Sequence, residues 1–264
     1  MKIPCFQVDA FADRPFSGNP AAVCLLDDEA DGDWMQAVAS EMNLTETAFV
    51  RPVQDGYELR WFTPAFEVDL CGHATLASAH ILWMQGHATN NDPIRFHTRS
   101  GVLTCKLSGD LIELDFPTTP PQPTEPAAGL LEALGIGSPE FVGQSRFDKL
   151  VIVDSEATVR SLHPDFGRLA LIAMRGVIVT AVSDNPAYDF VSRFFAPAAG
   201  VNEDPVTGSA HCCLGPFWQG RLGKSEMMAY QASKRGGVVR VHVKGDRVVL
   251  GGTAITILQG ELRA

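Results

Sequence analysis

Residues 71–86 have the sequence CGHATLASAHILWMQG, which opens on Cys-Gly-His and continues as small and apolar residues. Ala, Leu and Met are strong helix formers, and Gly86 stands where helices commonly end. Residues 74–85 are therefore predicted to form a helix. Because this helix has no continuous polar face, we expect it to be buried nearly all round, with strands packed around it.

The sequence on both sides of this helix has the alternating apolar pattern and the turn residues of strands. Residues 33–42 differ, since their apolar residues recur at helical spacing and Asn43 stands at the position of a C-terminal cap. The strands of this first half are predicted at 3–11, 21–26, 47–50, 57–62, 67–70, 94–98, 101–107 and 111–116.

A second apolar helix begins in the other half of the chain. Residues 203–211, EDPVTGSAH, end an extended segment and open a helix predicted to run to about Gln219. Strands are predicted at 149–153, 177–182, 188–195, 227–231, 238–244 and 247–258, with short helices at 130–134 and 165–173. Residues 71–75 and 204–208 hold matching positions, which suggests a duplicated domain with a sheet around one helix in each copy.

Residues 117–126 contain five prolines in ten positions. Proline lacks a backbone donor and breaks helix interiors and central strands. This stretch therefore predicts an interdomain linker, 118–126, between domains at 1–117 and 127–252.

Composition and charge exclude several classes of protein. The chain has 264 residues with 21 Lys+Arg and 31 Asp+Glu, a formal charge of −10, which argues against nucleic acid as a partner. The longest apolar stretches, 169–174 and 177–182, are far shorter than a membrane helix requires. The N-terminus has no signal-peptide pattern, so we expect a cytoplasmic protein whose six cysteines are free thiols.

The openings of the two buried helices are candidate anion sites, because the first turn of a helix presents unpaired backbone N–H groups. Small residues allow close approach to these groups, and the hydroxyls of Thr75, Thr207 and Ser209 can add donors. Ordinary helix capping is the alternative. The predicted substrate-binding residues are Gly72, Ala74, Thr75, Thr207, Gly208 and Ser209.

Two titratable residues are candidates for acid–base chemistry. Glu46 lies between a helix end and an apolar strand, where a partly buried carboxylate could take and return a proton, although a solvated loop charge is the alternative. His73 lies beside Cys71 and could donate to a substrate oxygen. His80 and His87 follow at intervals of seven residues, about 10 Å apart along a helix, which is too far for one metal ion, so no metal is expected.

Five ordered motifs resemble those of the phenazine-biosynthesis (PhzF-like) isomerase family over nearly the whole chain. They are FQVDAF at 6–11 with FSGNPAAV at 16–23, NLTETAFV at 43–50, DLCGHAT at 69–75, EDPVTGSA at 203–210 and QASKRG at 231–236. The resemblance implies a diaminopimelate-epimerase-like α/β (α+β) fold. This fold has two similar domains, each a strongly curved, mostly antiparallel sheet wrapped around a central helix, with the active site between them.

In such a fold the final strand, 253–264, can return to the first domain, and a homodimer is common. The resemblance further implies a cofactor-independent isomerase that moves a proton on a small carboxylated substrate, as in a dihydro-hydroxyanthranilate ring. Its acid–base carboxylate corresponds to Glu46, and its supporting polar residues correspond to His73 and Asp204. Neither nucleic acid nor membrane is expected as a partner.

Related racemases of this fold use a cysteine at each helix opening, whereas this chain has Cys71 at one opening and Asp204 at the other. A two-thiol racemase is therefore disfavoured, because one of its two acid–base groups would be missing. A single-thiol racemase or epimerase using Cys71 opposite Asp204 or Glu46 remains an alternative. A non-catalytic protein that binds a carboxylated metabolite is a second.

Overall fold

The structure is a computed structural model that describes residues 2–89 and 92–263. The backbone forms two compact units. The first unit contains the chain up to Asp115 together with the segment from Gly251 onward, and the second unit contains Phe116–Leu250.

The elements follow one another in chain order. The first are β1 Lys2–Ala10, β2 Asn19–Leu25, α1 Gly32–Met42, β3 Glu46–Val53, β4 Gly56–Phe62, β5 Glu67–Val68, α2 Gly72–Met84, β6 Ile94–Thr98, β7 Gly101–Ser108 and β8 Leu111–Pro117. Next come β9 Gln122–Pro123, α3 Leu130–Leu134, β10 Phe141–Gln144, β11 Lys149–Ile152, α4 Glu156–Ser161, α5 Phe166–Ala170, β12 Val177–Val182 and β13 Phe190–Ala196. The last are a 3₁₀ turn Pro197–Ala199, β14 Val201–Asp204, α6 Gly208–Leu222, β15 Glu226–Gln231, β16 Gly237–Lys244, β17 Arg247–Gly252 and β18 Ala254–Arg263.

The first unit is built around α2. Strand β1 pairs antiparallel with both β2 and β18, β2 runs parallel to β3, and β6, β7 and β8 form an antiparallel meander. Helix α2 packs against β1, β2 and β3, and nine of its thirteen residues are buried. The prediction of a helix buried nearly all round is confirmed.

The second unit is built around α6. Strands β15 and β16 are antiparallel, β13 runs parallel to β15, and β12 is antiparallel to β13. Helix α6 packs against β16 and comes close to it at Gly215, where a Cβ would lie 3.0 Å from Val241 Cγ1. The predicted fold class is confirmed, because each unit is a mostly antiparallel mixed α/β structure around one buried helix.

Most predicted elements are present, and the differences have local causes. Asn43 takes a left-handed conformation at φ 50° and ends α1 as predicted, whereas the helix predicted at 165–173 covers only Phe166–Ala170. The strand predicted at 247–258 is two strands, because Thr253 turns aside and its hydroxyl donates to the Ala12 carbonyl at 2.6 Å. Strands β10 and β14 and helix α4, which have four, four and six residues, were not predicted.

The proline-rich stretch pairs with the second unit. Its residues Gln122–Pro123 form β9 against β10, and the Thr119 N–H donates to the Cys212 carbonyl at 3.0 Å. The division into domains at 1–117, 118–126 and 127–252 stays a prediction. All six cysteines are buried free thiols, as predicted. Among the described residues, no helix has the length and apolarity needed to cross a membrane.

Candidate active site

Three predicted site residues of the first unit, Glu46, Cys71 and His73, lie together, and Asn19, to which the sequence assigned no role, lies beside them. Glu46 is the first residue of β3 and pairs in register with Ala21 of the parallel strand β2, which begins at Asn19. Cys71 is the N-cap of α2, and His73 lies in its first turn. Because α2 packs against β2 and β3, the starts of two strands and one helix meet at one place.

The closest polar contact joins His73 and Glu46. His73 Nε2 lies 3.0 Å from Glu46 Oε2, and only 7% and 15% of the two side chains are exposed. The approach is an ion-pair contact without the alignment of a hydrogen bond, so the buried Oε2 has no hydrogen-bond partner among the described residues. A proton that this oxygen takes from a ligand would therefore compete with its ion-pair contact to His73.

The other ring nitrogen of His73 faces Asn19 and Cys71. Asn19 Nδ2 lies 3.2 Å from Nδ1, and Cys71 Sγ lies 3.5 Å from the same atom. A side-chain amide can donate from its nitrogen or, turned over, accept at its oxygen, so Asn19 suits both the neutral and the protonated ring. The imidazole is therefore held between polar groups on both sides.

The charge states follow from burial and from the neighbours. Burial alone would lower the pKa of His73, but the negative charges of an ionised Cys71 and of Glu46 raise it well above 6.5. Burial raises the pKa of the Cys71 thiol, and the Glu46 charge raises it further. Cys71 is thus a neutral thiol near pH 7, so of the two groups that raise the pKa of His73 only Glu46 then acts on the ring through a negative charge.

The same cluster has the composition of a metal site. Ligand atoms of Glu46, Cys71 and His73 lie within 4.8 Å of one another, so these residues could hold a divalent ion. His80 is not part of this cluster, and its Nε2 instead lies 3.0 Å from Thr256 Oγ1.

The second unit holds Asp204, Thr207, Gly208 and Ser209 where β14 leads into α6. Thr207 is the N-cap of α6, and its hydroxyl donates a short 2.5 Å hydrogen bond to Asp204 Oδ2. Gln231, at the end of β15, is fully buried and spans this turn: its Oε1 accepts from the Thr207 N–H at 2.9 Å, and its Nε2 donates to the Asp204 carbonyl at 2.8 Å.

Ser209, in the first turn of α6, is held from outside the helix. Its hydroxyl accepts from Arg175 at 2.9 Å, and the Arg175 Nε donates to Asp148 Oδ1 at 2.8 Å. The Asp148 side chain is 1% exposed, whereas the Arg175 side chain is 44% exposed. Arg175 thus joins a buried carboxylate to a predicted substrate-binding residue.

The structure places the remaining predicted residues at the same two helix openings. Gly72, Ala74 and Thr75 lie in the first turn of α2, where the buried Thr75 hydroxyl donates to the Cys71 carbonyl at 2.6 Å. Cys71 and Thr207 are the N-cap residues of the two helices, and the side chain of neither accepts a hydrogen bond from the N–H groups of the first turn. Substrate binding by these residues stays a prediction.

Sequence reasoning assigned no role to Gln231, Arg175 or Asp148. Gln231 is the first residue of the QASKRG motif, but the motif does not indicate which residues its side chain contacts. Arg175 and Asp148 are 27 residues apart, and no local pattern in the sequence pairs them. Their partners are decided by strand pairing, because β11 and β12 run parallel, which brings together Asp148, one residue before β11, and Arg175, two residues before β12.

Comparisons with known proteins agree on one family. A family model described as phenazine biosynthesis-like protein matches residues 8–260. An uncharacterized isomerase of Halalkalibacterium halodurans is 57% identical, over 99% of this chain and 99% of the relative. A crystal structure of a phenazine biosynthesis protein of the PhzF family from Enterococcus faecalis has a TM-score of 0.95 at 42% identity and covers 100% of both chains. A predicted epimerase from Pseudomonas aeruginosa shares the fold, with a TM-score of 0.75 at 24% identity over 99% of both chains.

Proposed function

The chain belongs to the phenazine biosynthesis-like (PhzC–PhzF) family, and from this premise we propose that it is an isomerase that moves a proton on a small carboxylated substrate without a metal or organic cofactor. The family membership bears out the resemblance noted in the motifs. The proton transfer, the substrate class and the residues that serve them are the proposal.

The pair of Glu46 and His73 is the observation that carries this proposal. Glu46 presents a buried carboxylate oxygen with no hydrogen-bond partner among the described residues, 3.0 Å from the His73 ring. In the proposed reaction the carboxylate takes a proton from a carbon of the substrate, the C–H electrons form a new double bond to the adjacent carbon, and the electrons of the existing double bond move to its far carbon. Glu46 then returns the proton to that far carbon, so atoms and electrons balance without an outside oxidant or reductant.

The protonated His73 has a supporting role in this scheme. Its positive charge lies next to Glu46 and to the first turn of α2, where negative charge on a bound carboxylate or a developing enolate would be stabilised. In the proposal Asp204 orients the polar groups of the substrate. The substrate is proposed to lie between the two helix openings, as the family resemblance implies, in a cytoplasmic homodimer.

The test is an NMR assay in D₂O that follows isomer formation and deuterium entry at carbon. The substrates are trans-2,3-dihydro-3-hydroxyanthranilate and a panel of small unsaturated or α-substituted carboxylic acids. Glu46→Gln should lower turnover by about 10²–10⁴-fold, or about 3–5 kcal/mol in the barrier, because it removes the acid–base group and keeps its shape. Glu261→Gln is the matched control, since Glu261 lies in an exposed ion pair with Lys2.

Wild-type turnover in Glu46→Gln would refute the assignment of the base. The single-thiol racemase predicts a different pattern, in which Cys71→Ser abolishes turnover and Glu46→Gln does not. The raised pKa of the Cys71 thiol argues against that alternative, because a neutral thiol is a poor base near pH 7. Tight retention of a carboxylic acid with neither turnover nor exchange would instead support a binding protein.

A further inference from the structure

We propose that Glu46, Cys71 and His73 form an inhibitory site for a borderline-soft divalent ion such as Zn²⁺. The binding of the ion depends only on the three side chains and their geometry. The inhibition rests on the proposed function, because the ion would take the Glu46 carboxylate that acts there as the acid–base group. The ion is thus a regulator of the isomerase and not its cofactor.

The ligand atoms of the three residues are spaced for one tetrahedral ion. Glu46 Oε2 lies 3.0 Å from His73 Nε2, Cys71 Sγ lies 3.9 Å from the same nitrogen, and ligand atoms of all three residues lie within 4.8 Å of one another. Bonds of about 2.0 Å to nitrogen and oxygen and about 2.3 Å to sulfur would separate N from O by about 3.3 Å and N from S by about 3.5 Å. Both contacts of His73 are within about half an ångström of these values.

The placement of Glu46 relative to His73 also favours a shared ion. Oε2 is close to Nε2 but lacks the alignment of a hydrogen bond, and it has no hydrogen-bond partner among the described residues. Two ligands of one tetrahedral ion lie off the lone-pair axes of each other, because the ion occupies the corner between them. The ion would therefore replace the misaligned contact by a direct bond to each group.

The donor set selects the class of ion. Thiolate and imidazole are ligands of Zn²⁺ and its neighbours among the transition metals, whereas Mg²⁺ and Ca²⁺ bind oxygen. Cys71 and His73 are buried, so an added net charge would be costly there. The ion brings two positive charges and displaces two protons to solvent, one from the Cys71 thiol and one from the His73 imidazolium. The cluster is then neutral both before and after the ion binds.

Asn19 is suited to support the ring in the metal-bound state. A histidine that binds a metal usually donates its other ring N–H to a neighbouring oxygen. The Asn19 amide lies 3.2 Å from His73 Nδ1, and turned over it would present its oxygen to the Nδ1–H. With the ion on Nε2, Asn19 is a positioning residue, and Asn19→Ala should weaken metal binding by about 10–100-fold.

The binding test uses Co²⁺ as a spectroscopic substitute for Zn²⁺, with chelator-stripped protein in a phosphine reductant. One equivalent of Co²⁺ should produce the near-ultraviolet thiolate-to-cobalt charge-transfer band together with the intense visible bands of a tetrahedral ion. One equivalent of Zn²⁺ should abolish these bands, whereas a large excess of Mg²⁺ should leave them in place. Absence of the charge-transfer band would overturn the proposal.

Two serine variants locate the ion. Cys71→Ser should lose the charge-transfer band, because serine keeps the size of the side chain but offers no thiolate. Cys212→Ser is the matched control and should keep the band, since Cys212 is 6% exposed against 7% for Cys71 and lies near the start of the other central helix. A band that survives Cys71→Ser or disappears in Cys212→Ser would place the ion elsewhere and overturn the site.

A further ligand variant keeps the proposal testable if Cys71→Ser does not fold. His73→Gln removes the imidazole and should weaken Co²⁺ binding by at least about tenfold, because a lost ligand should cost no less than a lost neighbour of a ligand. Unchanged Co²⁺ affinity in His73→Gln would overturn the site. Unchanged affinity in Asn19→Ala would overturn the positioning role of Asn19.

Inhibition is measured in the D₂O assay, with each protein compared with its own metal-free rate. One equivalent of Zn²⁺ should suppress turnover and deuterium entry in the wild type and in Cys212→Ser, and a chelator should restore both. A charge-transfer band without turnover on any compound would support the metal site and count against the proposed function. Turnover that persists in the wild type once the site is saturated would overturn the inhibition and remove Glu46 as the base.

Discussion

Replacing Arg175 by Met should destabilise the protein by an amount set by the burial of its partner, Asp148. The Asp148 side chain is 1% exposed and accepts at Oδ1 from Arg175 Nε at 2.8 Å, with a second contact from the guanidinium to Oδ2. Met keeps an apolar stem of similar length against the rings of Phe147 and Phe194, over which the guanidinium lies at 5.2 and 5.8 Å. The variant therefore removes the charge and largely preserves the packing.

The magnitude follows from what is left behind. Breaking a buried ion pair by removing one partner costs about 3–5 kcal/mol, because the remaining charge is desolvated and unpaired. Because 44% of the Arg175 side chain is in water, we expect the lower end, about 3 kcal/mol at pH 7. Asp148→Asn should cost about 1 kcal/mol, since Arg175 can return to solvent and the amide keeps a hydrogen bond.

The cost should depend on pH with a definite sign. Burial raises the pKa of Asp148 above 3.8 even though Arg175 lowers it, so the pKa must rise further in Arg175→Met. A carboxyl whose pKa is higher in the folded state binds more protons there, so stability falls as the pH rises from 3.8 through the folded-state pKa. The destabilisation of Arg175→Met relative to wild type should therefore be smaller at pH 5 than at pH 7.

Urea unfolding of the wild type, both single variants and the double variant at pH 5 and pH 7 checks these expectations. Asp148→Asn/Arg175→Met should be more stable than Arg175→Met, because the orphaned charge is gone. The reasoning is refuted if Arg175→Met costs no more than Asp148→Asn at pH 7, or if its cost is independent of pH.

Two further predictions concern the helices at the centre of each unit. Because the pKa of His73 is raised, its ion pair with Glu46 should stabilise the fold fully below pH 6.5 and less as the pH rises through the folded-state pKa. Urea unfolding from pH 6 to 9 should therefore show a free energy of unfolding that falls with pH in the wild type and not in Glu46→Gln. Equal pH dependence in the two proteins would contradict this expectation. Gly215→Ala should cost about 1–3 kcal/mol, since its Cβ would lie 3.0 Å from Val241 Cγ1, whereas Gly220→Ala in the same helix, with no atom within 4 Å, should stabilise by about 0.5–1 kcal/mol in thermal unfolding.

Local structure was predictable where the chemistry of neighbouring residues suffices. Asn43 ends α1 because its short polar side chain tolerates the left-handed conformation, and the short helix Leu130–Leu134 and the strand Val177–Val182 lie at their predicted residues. The break at Thr253 was not predictable, because it depends on Ala12, which lies 241 residues away in the chain.

In the candidate site, too, the positions of residues along the chain were predictable and their contacts were not. The motifs placed Glu46 before a strand and His73 at the opening of a helix, and the structure has both where they were expected. The contact between them is tertiary, since the parallel pairing of β2 with β3 sets the distance at which Glu46 faces the helix. Gln231 shows the limit most clearly, because its motif was noticed but its hydrogen bonds reach residues more than twenty positions earlier.

By itself, the sequence determined the family, most of the helices and strands in their order, the two buried central helices and the residues that stand at their openings. Propensity, capping and apolar periodicity act between residues a few positions apart, so a helix or strand can be recognised from a stretch of about a dozen residues. Only the tertiary structure decided which polar groups meet: Glu46 with His73, Asp148 with Arg175, and Gln231 with Thr207. Such pairs depend on strand register, which brings distant segments together, and on burial, which raises or lowers the pKa values of the groups that meet.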